Sequence, residues 1–402
     1  MEGATIERTP QMDGVLADGC GYFQFPWDDE QTWSLEVRFI GYETVRRRVR
    51  PQEMAEGDTM TFYLRPRSFV LDTLSIGSAE LPIVTYGSEQ HSVSDYLFTE
   101  DGLLLLTYPK TLNRGAELRW LDKAGKLLQM EVLPKSWKVE ALLEDYTGKA
   151  YLVGDYHLWA IEGKYEELRF VKTSKQSFQD EVEPILDTTD GRWVISTWYP
   201  RFPAFDYYQF IIEDSTYAHV HRVADEHMLE LCRAEYKYLA PRDKLYFRRM
   251  ALDTGMEKEV LACIASYENG LYYEPMNAPM VVLDDTMHVF DHHVSLLYRY
   301  GSDRQLLDSV AIDYHGGEKV LGNPFTGELV VDEEEKEVYA LYSVPGGRTW
   351  LTAIDRANGR TGRTHPLVHP YPERVKVRNG RVYYIYRPFE SSQKKYLYEE
   401  GL

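Results

Sequence analysis

The side chains best suited to chemistry fall in two short stretches. In HVFDHHV (288–294), His288, Asp291 and His292 follow one another along an apolar run that ends at a turn. Imidazole and carboxylate together ligate borderline metals or move a proton near neutral pH at a channel mouth. If the run is a strand, its period of two sends His292 and His293 to opposite faces and keeps His288 on the face of His292. The plainer reading is a polar strand end whose histidines are hydrogen-bonded. In STWYPRFPAFDYYQF (196–210), Trp198 and Tyr199 head a run of aromatics with two prolines. Such rings stack on sugars or peptide side chains, and they also pack loops because they bury large areas. DEEEKE (332–337) collects carboxylates, but consecutive charges at a hairpin turn read as a solvated tip rather than as calcium ligands. Motifs specific for a reaction are missing: G-x-S-x-G, H-E-x-x-H, G-x-x-x-x-G-K-S/T and the EF-type calcium loop are all absent. No catalytic residue is assigned, and neither a metal nor a cofactor is expected.

The elements that must position these residues are short strands. From about residue 80 onward, apolar runs recur with turn signals between them, Asp101-Gly102 and Ala124-Gly125 among them, without the alternating helices of a parallel sheet. The repeat runs to roughly 40–50 residues, the range of propeller blades. Six such units are counted. The last has three strands, so ELPIVTYG, near 80–90, is expected to complete it and close the ring. The stretch 224–275 breaks the pattern. Asp225 is a plausible N-cap before Met228, Leu229, Leu231 and Cys232 at near-helical spacing, Pro241 marks a stop, and Gly255 suits a helix end. Three short helices are expected there, inserted between the third and fourth units.

The first 76 residues carry a different series: GATI (3–6), DGCGYFQF (18–25), SLEVRFIGYET (34–44), MTFYLRP (60–66) and LDTLSI (71–76). Leu35, Val37 and Phe39 alternate with Glu36 and Arg38, as a half-buried strand does. In order and content the series resembles the carboxypeptidase regulatory-like domain, a small transthyretin-like β-sandwich common at the surface of Bacteroidetes-type bacteria. The remainder is similar in layout to six-bladed propeller proteins of the same bacteria, in which a helical segment precedes a strand like YYEPMNAPM (272–280). The resemblance implies an all-β chain: a sandwich over 1–77, then a six-bladed propeller over 80–402 with a helical insertion at 224–275. It also implies export, to the periplasm or the outer surface. The family's opening strand and a signal peptide would then lie upstream of Met1. The basic run RRRVR (46–50) reads as a solvated strand edge.

Composition excludes some partners. With 45 Lys and Arg against 64 Asp and Glu in 402 residues, the formal charge of −19 repels phosphate backbones, so nucleic acid is not expected. No run reaches the ~18 apolar residues of a membrane-spanning helix. Cys20, Cys232 and Cys263 have no metal-ligand spacing; Cys232 and Cys263 either pair or serve as small buried residues. Two function classes stay open. One is a non-enzymatic exported binding protein whose propeller face takes a protein, peptide or glycan while the sandwich tethers it, or docks it as an accessory on an outer-membrane complex. The other is a glycan lyase or hydrolase with its site at the channel mouth under the helical insertion. The missing motifs favour binding.

Overall fold

The computed structural model describes residues 3–9, 13–26, 32–39, 42, 44–50, 59–65, 81–109, 115–163, 168–200, 202–254, 257–266, 275–316, 324–389 and 394–402. The chain divides into two compact units, Met1–Ala79 and Glu80–Leu402.

The first unit holds one antiparallel sheet among its described residues, in the order Asp13–Leu16, Thr5–Thr9, Trp33–Arg38, Val45–Val49. Trp33, Leu35 and Val37 are buried while Arg38 faces solvent, the alternation expected of a sheet with one wet face. Ile6, Leu35, Val37 and Val49 form its core, covered by Phe23, Phe25, Met60, Phe62 and Leu64 from segments outside the sheet. A second sheet, which a sandwich requires, is not among the described residues. Ile40, Gly41 and the run 71–76 lie outside them. In the turn at 18–22, the Asp18 carboxylate accepts hydrogen bonds from the backbone of Cys20 and Tyr22, both at 2.9 Å. The basic run forms the edge strand Val45–Val49. Its three arginines are exposed, and Arg46 joins Arg38 on the carboxylate of Glu36.

The second unit contains six four-stranded antiparallel sheets among its described residues, and the fold matches a β-propeller. In chain order their first strands are Ser92–Phe98, Ala141–Glu144, Ile185–Thr189, Met280–Leu283, Phe325–Asp332 and Glu373–Arg378. Each sheet is a meander, strand pairing with the next strand in sequence. The sixth is completed from the other end of the unit: Ile83–Tyr86 pairs with Tyr396–Gly401 in the register Leu397↔Tyr86, as expected for ELPIVTYG.

Shared cores join five pairs of sheets. Leu104 and Leu118 of the first pack with Leu152 and Trp159 of the second, and Val194 and Phe205 of the third with Met287 and Val289 of the fourth. The fourth and fifth meet through Phe290, Leu297, Val338 and Ala340, and the fifth and sixth through Leu351, Val382 and Tyr384. Val93, Tyr96, Ile385 and Leu397 join the sixth to the first. At the second sheet, helix α1 (Lys175–Glu181) inserts Phe178 beside Tyr151 and Leu158. Because neighbours cover both faces, middle strands such as Gly102–Tyr108 (GLLLLTY) read as continuous apolar runs, whereas the outer strand Leu127–Val132 alternates and is largely wet.

Two-residue hairpins with both φ positive join first to second strands at Asp190-Gly191 (49° and 70°) and Asn379-Gly380 (51° and 65°), the twist-matched turn that favours glycine. The fourth sheet makes the same turn without glycine, at Asp284 (51°) and Asp285 (55°).

The insertion carries α2 (Glu226–Tyr236), α3 (Pro241–Thr254) and α4 (Lys258–Ser266). Asp225 caps α2 by accepting from the Met228 amide at 3.0 Å. Of the two readings open for Cys232 and Cys263, the structure decides for pairing: a disulfide joins α2 to α4 across 31 residues. Both cysteines are also buried, so covalent pairing and core packing coincide.

Candidate functional site

In a meander, successive turns lie at opposite ends of the sheet, so the turn after the first strand and the loop after the second face opposite ways. Trp198 and Tyr199 lie in the loop after the second strand of the third sheet, and His292 in the equivalent loop of the fourth. They share that end in their own sheets but do not converge with His288, which lies within the strand Thr286–Asp291.

Each histidine is held by its own partners. His288 is buried, with Nδ1 3.0 Å from the Thr286 carbonyl oxygen and Nε2 3.5 Å from the Arg356 guanidinium. A carbonyl only accepts and a guanidinium only donates, so the ring is neutral with its proton on Nδ1. Burial, and then the positive charge of Arg356, push its pKa down to about 4. The Nε2 of His292 lies 2.6 Å from the Tyr314 hydroxyl, and burial with the nearby His315 ring again brings its pKa to about 4. Asp291 is buried and caps the turn that follows, accepting from the His293 amide at 3.0 Å and the Val294 amide at 3.2 Å. Its other oxygen lies 4.0 Å from Nε2 of His221. Trp198 donates its indole N–H to the Met276 carbonyl at 2.9 Å, which anchors the loop while leaving its ring, like that of Tyr199, about half exposed. No cluster of three or more His, Cys, Asp or Glu able to hold a metal ion is found among the described residues.

None of these five residues lines the large cavity of the second unit, of about 1310 Å³. All six first strands contribute to its wall, together with the turns that follow them in the first, second, fourth and fifth sheets. Its lining holds eleven carboxylate residues and four cations, Lys149, Lys336, Lys376 and Arg378. Three of the cations are already engaged. Lys149 reaches Glu162 at 2.6 Å, Arg378 reaches Glu334 at 2.6 Å and lies over the Phe98 ring, and Lys376 donates to the Tyr96 carbonyl at 2.8 Å. Burial lowers the Lys376 pKa against the pull of Asp95 and Glu144.

Among the carboxyls, burial raises Glu144, Asp187 and Glu328 above their ordinary range, opposed by Lys376 at Glu144 and by Arg374 at Glu328. Asp145 goes the other way: burial would raise it, but hydrogen bonds from Thr147, Tyr151 and the Lys149 amide outweigh that and hold it low. DEEEKE splits in two. Glu333, Glu334 and Glu335 are exposed at the hairpin tip, as expected of a solvated turn, whereas Asp332 is fully buried. Its carboxylate accepts from the backbone of Asn379 and Gly380 and so ties the fifth sheet to the sixth.

The lining residues were missed in the sequence, yet a signal exists. Glu144, Asp187 and Asp284, all in the lining, each follow directly on two apolar residues at or near the end of a first strand: LLED, ILDT and VLDD. Aligning the first strands would have ranked these acids above the histidines.

No family model matches the chain, and a search of curated proteins found no match. Among solved structures it is similar to a luciferin-regenerating enzyme (9% identity over 80% of this chain and 95% of that one, TM-score 0.39). It is also similar to a putative gluconolactonase (10% identity, 81% and 93% covered, TM-score 0.35) and to virginiamycin B lyase from Staphylococcus aureus (8% identity, 75% and 80% covered, TM-score 0.33).

Proposed function

We propose that the chain is an exported, non-enzymatic binding protein whose second unit, a six-bladed propeller, takes a cationic peptide or protein segment at the acidic end of its central cavity. The observation that carries this is the wall itself, to which the first strands of all six sheets and the following turns of four contribute, with carboxylates in excess and most of the cations already engaged. Low-dielectric walls lined by one sign of charge focus the field and attract the opposite charge. The first unit is read as the carboxypeptidase regulatory-like sandwich, an accessory or tethering module, on the strength of its alternating core strand and Asp18 turn. The Cys232–Cys263 disulfide supports a periplasmic or outer-surface location, because such bonds persist in oxidising compartments.

Thermal shift tests the reading. A ligand that binds only the folded state raises the melting temperature, so an arginine-rich peptide should raise it and a glutamate-rich peptide of equal length should not. The shift should shrink with added salt. It should also shrink in Asp284→Asn, Asp285→Asn, Glu333→Gln, which removes charge while asparagine keeps the left-handed turn. An equal response to both peptides, or an unaltered response of the neutralised variant, refutes it.

A second reading, a glycan lyase or hydrolase, draws on Glu144, Asp187 and Glu328, whose raised pKa values suit proton transfer. Turnover of a glycan that is abolished by Glu144→Gln would establish it.

A further inference from the structure

Helix α3 presents two unlike faces. Phe247, Met250 and Ala251 turn inward against Tyr236, Leu261 and Ala262 of α2 and α4, which the disulfide holds together. On the opposite side Arg242, Leu245, Arg249 and Leu252 follow at i, i+3, i+7 and i+10, a single stripe along the helix. Leu245 is 52% exposed and Leu252 is 86% exposed, flanked by Tyr246 at 59% and by Tyr238, just before the helix, at 83%. Arg242, Arg248 and Arg249 are exposed and form no ion pair among the described residues.

This is an unusual surface for a chain of formal charge −19. Two exposed aliphatic side chains stand beside two exposed tyrosines and three guanidinium groups with no ion pair among the described residues. This combination of side chains matches the layered chemistry of a lipid interface. Leucines reach the acyl boundary, tyrosines sit at headgroup level and arginines meet phosphate. We propose that the outer face of α3 docks the protein on an anionic phospholipid surface, with the disulfide-bound pair α2 and α4 as its rigid backing. The negative charge elsewhere sets the orientation, since this face can approach phosphate while the acidic faces are repelled.

The test is co-sedimentation of the full chain with vesicles of equal parts phosphatidylglycerol and phosphatidylethanolamine, against vesicles of phosphatidylcholine alone. Binding is expected to the first and not to the second, and it should be lost at about 0.5 M salt, where screening confines charge attraction to a few ångströms. Leu245→Ser with Leu252→Ser, and separately Arg248→Gln with Arg249→Gln, should each lower the partition about tenfold or more. All four side chains are exposed, so unchanged melting temperatures verify that the variants fold. Absence of binding, equal binding to both vesicle types, or unaltered partition of both variants overturns the proposal. So does binding of a polyglutamate peptide, without vesicles and lost in the arginine variant, which would make the occupant an acidic protein.

Discussion

Cutting the bond between Cys232 and Cys263 should loosen the insertion and leave the sheets intact. The two cysteines are 31 residues apart, so the bond removes the entropy of a loop of that length from the opened state. The chain-entropy relation gives about 12 cal/mol/K for such a loop, or ~3.7 kcal/mol at 25 °C. The three helices form a cluster of their own around Tyr236, Phe247, Leu261 and Ala262. The loss should therefore fall on local opening of α2 and α4 rather than on the whole unit. In hydrogen exchange followed by mass spectrometry, reduction should speed exchange in 226–236 and 258–266 by up to about 500-fold, the factor that ~3.7 kcal/mol represents. The strands at 286–291 and 337–343 should keep their protection. Cys232→Ala with Cys263→Ala should reproduce the effect without reductant. Unchanged exchange in both helices, with mass confirming that Cys232 and Cys263 are both reduced, would show that the bond constrains nothing. Free thiols at both Cys232 and Cys263 in unreduced protein, three in all with Cys20, would refute the pairing itself.

The remaining predictions concern pH and backbone. His288 and His292 have folded pKa values near 4, below the ordinary 6.5 of an unfolded histidine. As pH falls below 6.5 the unfolded chain therefore takes up protons that the native state refuses until about pH 4. Their contribution to stability is full above pH 6.5 and lost between 6.5 and 4, at up to ~1.4 kcal/mol per pH unit per histidine. The raised carboxyls Glu144, Asp187 and Glu328 act in the opposite sense, so the check is differential. The melting temperature of His288→Gln with His292→Gln should fall less steeply over that window than that of the parent chain, and an identical slope would contradict the burial argument. Gly191 sits at φ 70° with nothing within 4 Å of an added Cβ. Gly191→Ala should therefore cost about 1 kcal/mol from backbone conformation alone, read as a lower denaturation midpoint with unchanged slope.

Much of the architecture was legible because sheet burial leaves a period in the chain. Runs such as GLLLLTY mark strands covered on both faces, Asp190-Gly191 and Asn379-Gly380 mark hairpins, and Asp225 with Pro241 bounds the helices. The strand Ile83–Tyr86 was inferred from a shortfall, since a three-stranded final sheet leaves an open edge. The site was less legible. His288 and His292 attracted attention by residue type, yet three of their four ring nitrogens are taken by Thr286, Arg356 and Tyr314, partners 2 to 68 positions away in sequence. Asp332 looked like one more acid in a solvated run and is instead a buried anchor for the next sheet.

Local sequence determined what depends on neighbours along the chain, namely strand period, turn type and helix caps, and composition set the formal charge of −19. Tertiary structure alone decided which residues meet. Whether two cysteines pair, whether an imidazole is buried and neutral, and whether Glu144, Asp187 and Glu328 line one cavity all follow from bringing distant stretches of chain together. Burial and Coulomb interaction act across space, and the spacing of residues along the chain does not record them.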